Sequence, residues 1–191
     1  MKKVLLPVVA VLLLGLLGFR IWSVNKNVVA IPVETYQMGD WVELDGAFQD
    51  VISENTMGYS VCIKSAEMKS YEDFVKEYNE TEDYMEQEYR PETVLDIEFA
   101  FQNEGNAQGH IQLFQYFVEG VNFTMSPNSE LWLLAVPKGE GQMGFALDEN
   151  TTYSFHVPYI FQKLDSKNLR GQRIHVITSR APVEKIIEIQ L

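Results

Sequence analysis

Apolar and polar residues alternate with a period of two along most of this chain, the pattern of strands that bury one face. In "TVLDIEFAFQNEGN", Leu95, Ile97, Phe99 and Phe101 share one face, while Asp96, Glu98, Ala100 and Gln102 share the other. The closing "NEGN" supplies turn residues that end the strand. "GHIQLFQYFVEG" is apolar on both faces in places and predicts a central strand. "TTYSFHVPY" sets Tyr153, Phe155 and Val157 against Thr152, Ser154 and His156. "DWVEL", "GYSVCIKSAEM", "ELWLLAVP", "GQMGFAL", "RIHVITS" and "EKIIEIQL" also read as strands. About eight or nine short strands at this spacing predict an all-β, antiparallel sandwich.

One segment follows a different rhythm. In "SYEDFVKEYNETEDYMEQEYRPE", Tyr71, Phe74, Val75 and Tyr78 recur at helical spacing, and Ser70 with Asp73 three residues on marks a helix N-terminus. The spacing predicts a helix of two to three turns, then a turn near Tyr84, ending at Arg90-Pro91. The sandwich is thus expected to carry one short helical insertion at about residues 70–90.

The chain opens on a third pattern. Lys2 and Lys3 precede an unbroken apolar run from Val4 to Phe19. Sixteen helical residues rise about 24 Å, short of the roughly 30 Å of bilayer hydrocarbon. Ile21, Trp22 and Val24 extend the run to a spanning length, with Trp22 at interfacial depth and the Arg20 head reaching the interface. Small residues suited to signal cleavage are missing just after the run: Ile21-Trp22-Ser23 is bulky, and Val28-Val29-Ala30 lies far from it. Residues 1–24 are therefore read as an uncleaved transmembrane anchor, with a cleaved signal peptide as the alternative. A short basic N-terminus before a long domain places that domain outside the cytoplasm. Residues 25–36, "NKNVVAIPVETY", read as an extended linker, and 37–191 as the sandwich domain.

Composition sharpens this picture in two ways. The formal net charge is −12, and setting aside Lys2, Lys3 and Arg20 leaves 12 basic against 27 acidic residues, a net of −15. Such a domain repels phosphates, which excludes nucleic acid as a partner. The single cysteine, Cys62, rules out an intrachain disulfide and reads as a buried, inert thiol on a strand. Export without disulfides fits a low-GC Gram-positive bacterium better than a eukaryotic secretory route, so the sequons at Asn79, Asn122 and Asn150 carry no weight.

The alternating "VLDIEFAFQNEGN", the pair "LWLLAVP" and "GQMGFAL", and "ENTTYSFHVPY" resemble the immunoglobulin-like domains of Gram-positive membrane-anchored proteins and lipoproteins. Together with "YQMGDWVELDGAF" and "ENTMGYSVCIKSAE", the chain is similar over nearly its whole length to a family of short membrane-anchored proteins of low-GC Gram-positive bacteria, a domain of unknown function. The resemblance implies an immunoglobulin-like sandwich and an extracytoplasmic location, and it brings no catalytic residues. The lipoprotein relatives carry a lipidated cysteine near the start, which this chain lacks, so its anchor would be the helix.

Catalytic and metal motifs are wanting. His110, His156 and His175 lie far apart without metal-ligand spacing, and His156 and His175 are expected to face solvent. No G-x-S-x-G or Walker loop occurs, and "GEGQMG" reads as a hairpin turn. "DSKNLRG" begins like a calcium loop but has Lys167 where an oxygen ligand belongs and lacks a closing glutamate. Trp41 and Trp132 are expected in the core. Glu80, Glu82, Asp83, Glu86 and Glu88 form an acidic run read as a solvated face, with weak divalent-ion binding as the alternative, and Glu82, Asp83, Glu86 and Glu88 are the candidate partner surface.

The reading is a non-enzymatic, membrane-anchored module without cofactor or metal that engages a protein partner at the cell surface. The alternatives are a ligand or wall sensor, or an immunity-type protector, recognising a peptide or glycan. A hydrolase comes third.

Overall fold

The computed structural model describes residues 2–28, 30–50, 52–78, 80–136, 143–162 and 172–191, leaving aside the side chains of residues 2–10. Backbone contacts divide the chain into two units, Met1–Ile31 and Pro32–Leu191.

The first unit is built on helix α1 (Lys2–Asn25). Its described apolar side chains, from Val11 to Val24, are exposed on every side of the helix. Among the described residues, no helix is long and apolar enough to cross a membrane.

In the second unit the described strands form two main sheets. One has the order β1 (Val33–Gln37), β11 (Glu184–Ile189), β10 (Ile174–Ser179), β6 (Val118–Gly120) and β7 (Phe123–Met125). The other has the order β2 (Val42–Glu43), β3 (Tyr59–Ser70), β4 (Thr93–Asn103) and β9 (Thr151–Phe161). β5 (Ile111–Gln112) and β8 (Gly144–Phe145) form a small pair. One core joins the two main sheets: Val61, Ile63, Leu95, Ile97, Phe99, Phe101, Val157 and Tyr159 from one, and Val118, Ile174, Val176, Ile187 and Ile189 from the other. The chain is thus mostly β, with two sheets packed over a shared apolar interior.

Several expectations are corrected. The sandwich is not wholly antiparallel, since β1 runs parallel to β11, with Val33 opposite Glu184. β1 also takes up residues expected to be linker. "ELWLLAVP" forms a helix, α3 (Ser129–Ala135), because Asn128 Oδ1 accepts a hydrogen bond from the Leu131 amide at 2.8 Å and caps it. A strand would point Leu131 and Trp132 to opposite faces of one sheet. The helix instead lets Trp132 enter the main core while Leu131 joins a second apolar cluster. "GHIQLFQYFVEG" breaks into β5, a 3₁₀ turn at Leu113–Gln115 and β6, which bury Ile111, Leu113 and Val118 while Phe114 stays exposed. The expected hairpin at "GEGQMG" falls largely on residues 139–142, and "DSKNLRG" on 165–171, outside the described residues.

The helical insertion forms as the spacing predicts. Helix α2 (Tyr71–Glu77) is capped by Ser70, whose Oγ accepts from the Asp73 amide at 3.0 Å. Tyr71, Phe74 and Val75 bury with Met85, Val94 and Leu131 in the second cluster, on the face of β4 opposite the main core. Two 3₁₀ turns, Glu82–Tyr84 and Gln87–Tyr89, carry the chain back to β4.

Candidate functional site

A β-bulge in β3 decides which side chains reach the outer face of the four-stranded sheet. Up to Ile63 the odd-numbered residues Tyr59, Val61 and Ile63 enter the core. The pairing with β4 then slips between Ile63 and Ser65, and beyond the slip Ala66 and Met68 pack inward. One extra residue reverses the alternation. Lys64 is left exposed over the Trp41 ring, 4.6 Å from its centre. Glu67 and Lys69 are turned to the outer face, where Glu67 stands opposite Asp96.

There the sheet holds a charge cluster. Asp96 is 3% exposed, although alternation placed it on a solvent face with Glu98 and Gln102. The outer face is covered near this point by α2, so the polar face of β4 is only partly wet. Burial alone would raise the Asp96 carboxyl, but hydrogen bonds from His156 and Lys69 outweigh it and hold the pKa below the ordinary carboxylate value. Lys69 Nζ lies 2.8 Å from Asp96 Oδ2 and 2.6 Å from Glu77 Oε2 at the end of α2, with Glu67 at 3.7 Å. Burial works against the Lys69 charge, yet its carboxylate partners raise its pKa. His156 Nδ1 lies 3.1 Å and 3.2 Å from the two Asp96 oxygens. The hydrogen bond that His156 donates to the Asp96 carboxylate raises the His156 pKa against the opposing effect of burial.

His156 therefore does lie opposite the apolar face, with its side chain 44% exposed, but it leans on a buried carboxylate instead of standing free in solvent. Two of this cluster's members, Asp96 and Lys69, carry no motif. The cluster's only sequence signal is that Asp96 and His156 alternate with the apolar sets of two long strands; Lys69 has none. His175 lies 3.8 Å from Glu119 on the other sheet. His110 bridges to Asn55 and contacts Gln112. The three histidines are not brought together.

The acidic quartet behaves differently. Glu82, Asp83, Glu86 and Glu88 are all exposed. Their backbone is nevertheless held: the Met85 amide donates to Tyr71 Oη at 2.9 Å, and Tyr84 Oη donates to the Glu130 carbonyl at 3.2 Å. Arg90 Nε donates to the Met85 carbonyl at 2.8 Å, and its Nη2 meets Asp83 at 2.7 Å. Buried Met85 pins the middle of the segment. The alternation of anchored and exposed residues was missed in the sequence because it has neither strand nor helix period.

Cys62 is fully buried, as expected, and burial pushes its thiol pKa up despite nearby Lys64. Trp132 is a core residue, but Trp41 is not. It is 40% exposed and packs against Lys64. It directly precedes β2, which lies at the sheet edge, where alternation alone does not ensure burial.

Among the described residues, no group of three or more potential metal ligands converges. Among solved structures, an uncharacterized β-sandwich protein from Clostridium difficile is similar to this chain, with 10% sequence identity and a TM-score of 0.46. The match covers 86% of this chain and 99% of that one. No curated protein matches the sequence. A family described as a domain of unknown function, DUF5028, matches residues 33–185, the span of the second unit from β1 into β11. The chain belongs to that family.

Proposed function

We propose that the protein is a membrane-tethered, extracytoplasmic and non-enzymatic module that presents the α2–β4 connection to a basic protein partner. The observation that carries the reading is the connection itself. Four exposed carboxylates, Glu82, Asp83, Glu86 and Glu88, ride on a backbone fixed by Tyr71, Tyr84, Met85 and Arg90. A loop held by a rigid scaffold loses little conformational freedom on binding, which is where recognition residues concentrate. Acidic charge on it favours a basic partner.

The tether rests on α1. The apolar side chains of α1 from Val11 to Val24 are exposed, and an apolar environment would cover them. The basic Lys2 and Lys3 ahead of it favour an N-terminus inside and a domain outside. Immunoglobulin-like kinship with short anchored proteins of Gram-positive bacteria is part of the same reading, supported by two sheets closed around one core.

The tether is tested by fractionation: the full-length chain stays with membranes through high salt and alkaline washes. Release of the intact chain by alkaline wash alone overturns the tether. The partner surface is tested by crosslinking on intact cells, with the parent compared to a variant in which Glu82, Glu86 and Glu88 become Gln and Asp83 becomes Asn. These positions are exposed, so stability stays within about 1 kcal/mol of the parent. Capture falls in the variant, and parent capture weakens with added salt. Equal capture by both proteins overturns the reading.

A further inference from the structure

The outer face of the four-stranded sheet sets one titrating side chain among fixed charges that also hold a helix. The groups around His156 come from three elements. On β4 they are Asp96, within 3.1 Å of Nδ1, and Glu98, its partner in strand register. On β3 they are Lys69 and Glu67, and at the end of α2 they are Glu77, which ion-pairs with Lys69, and just past it the phenol of Tyr78, which burial keeps neutral. When His156 is neutral, Lys69 is the one cation in this group and ion-pairs with Asp96, Glu77 and Glu67. When His156 is protonated, a second cation joins them and takes its place on Asp96. Lys69 is then drawn less strongly to Asp96 and is freer to hold Glu77.

That division matters because of where Lys69 sits. It directly precedes Ser70, the residue that caps the start of α2, and its ion pair with Glu77 reaches the end of the same helix. One residue thus joins the backbone at the start of α2 to the carboxylate at its end.

We infer that Lys69, Asp96, His156 and Glu77 form an acid-strengthened latch, which tightens the hold of α2 on the sheet in mild acid and slackens it in alkali. The inference does not depend on the chain having a partner at the acidic connection. The sign follows from linkage. His156 titrates above its ordinary value in the folded chain, so its contribution is complete below about 6.5 and is lost as the pH rises through the folded value. Asp96 titrates below its ordinary value, so its contribution is present above about 3.9 and is lost only in stronger acid. Both contributions are in force together between about pH 4 and pH 6.5.

The test uses the full-length chain in detergent micelles. The His156 ring is titrated by NMR, and amide exchange is followed in α2 and in β3 and β4 at pH 5.5, 7.0 and 8.5, corrected for intrinsic rates. The expected result is a His156 pKa above that of a free imidazole, with α2 protection falling toward pH 8.5 relative to the strands. His156→Gln removes that relative fall. Glu77→Gln, at an exposed position, removes it too while leaving the strand amides protected. A His156 pKa at or below the free value overturns the latch. So does an α2 pH response equal in the parent and in Glu77→Gln, a comparison that stands even if His156→Gln fails to fold.

Discussion

The hydroxyl of Tyr71, at the first residue of α2, accepts the backbone amide of Met85 at 2.9 Å, fourteen residues further on. The bond fastens the acidic connection to the helix that precedes it. Tyr71→Phe keeps the ring in its cluster but leaves the buried Met85 amide without that acceptor. An unpaired buried amide costs about 1–3 kcal/mol. Urea unfolding reads the loss as a lower midpoint with an unchanged slope.

Phe74 is fully buried in the second cluster, its ring tilted against that of Tyr78 with centroids 5.1 Å apart. Phe74→Ala removes that packing and leaves a cavity under α2. The expected loss is about 3–5 kcal/mol. A loss below about 1 kcal/mol in the same unfolding measurement shows that the helix is not docked as described.

Lys69 shields a carboxylate that is almost wholly buried. Lys69→Met keeps the aliphatic stem and removes the charge, so Asp96 keeps only His156 as a cationic neighbour. Breaking one side of a buried pair costs about 3–5 kcal/mol, and the remaining histidine puts this case near the lower figure. The loss shrinks in acid, because an Asp96 without Lys69 takes up its proton more readily. Stability of parent and variant measured at pH 4 and pH 7 checks both the size and the sign.

Cys62 has no exposed surface, and its thiol is shifted away from the reactive thiolate. A water-soluble thiol reagent leaves it unmodified in the folded protein and modifies it fully in denaturant. Reductant leaves the melting temperature unchanged, since one cysteine forms no intrachain bridge. Rapid labelling under native conditions contradicts the burial.

The sequence by itself determined the elements whose signals are local. Alternation in β4 and β9 placed Leu95, Ile97, Phe99, Phe101, Phe155 and Val157 in the core, because a strand's faces repeat every two residues. Helical spacing and the Ser70 cap located α2 for the same kind of reason. The four acidic residues of the connection were expected either to be solvated or to face a partner, and all four are exposed. Tertiary structure decided everything that depends on neighbours distant in sequence. The slip in β3 after Ile63 turned Lys69 outward, which no count of alternating residues reveals. Covering the outer sheet face with α2 converted Asp96 from a nominal surface residue into a buried ion-pair partner. The Asn128 cap, and two cores ready to take Leu131 and Trp132 separately, made a helix of a stretch that reads as strand. In each case the local pattern leaves two outcomes open, and the apolar and charged surfaces that become available only after folding select between them.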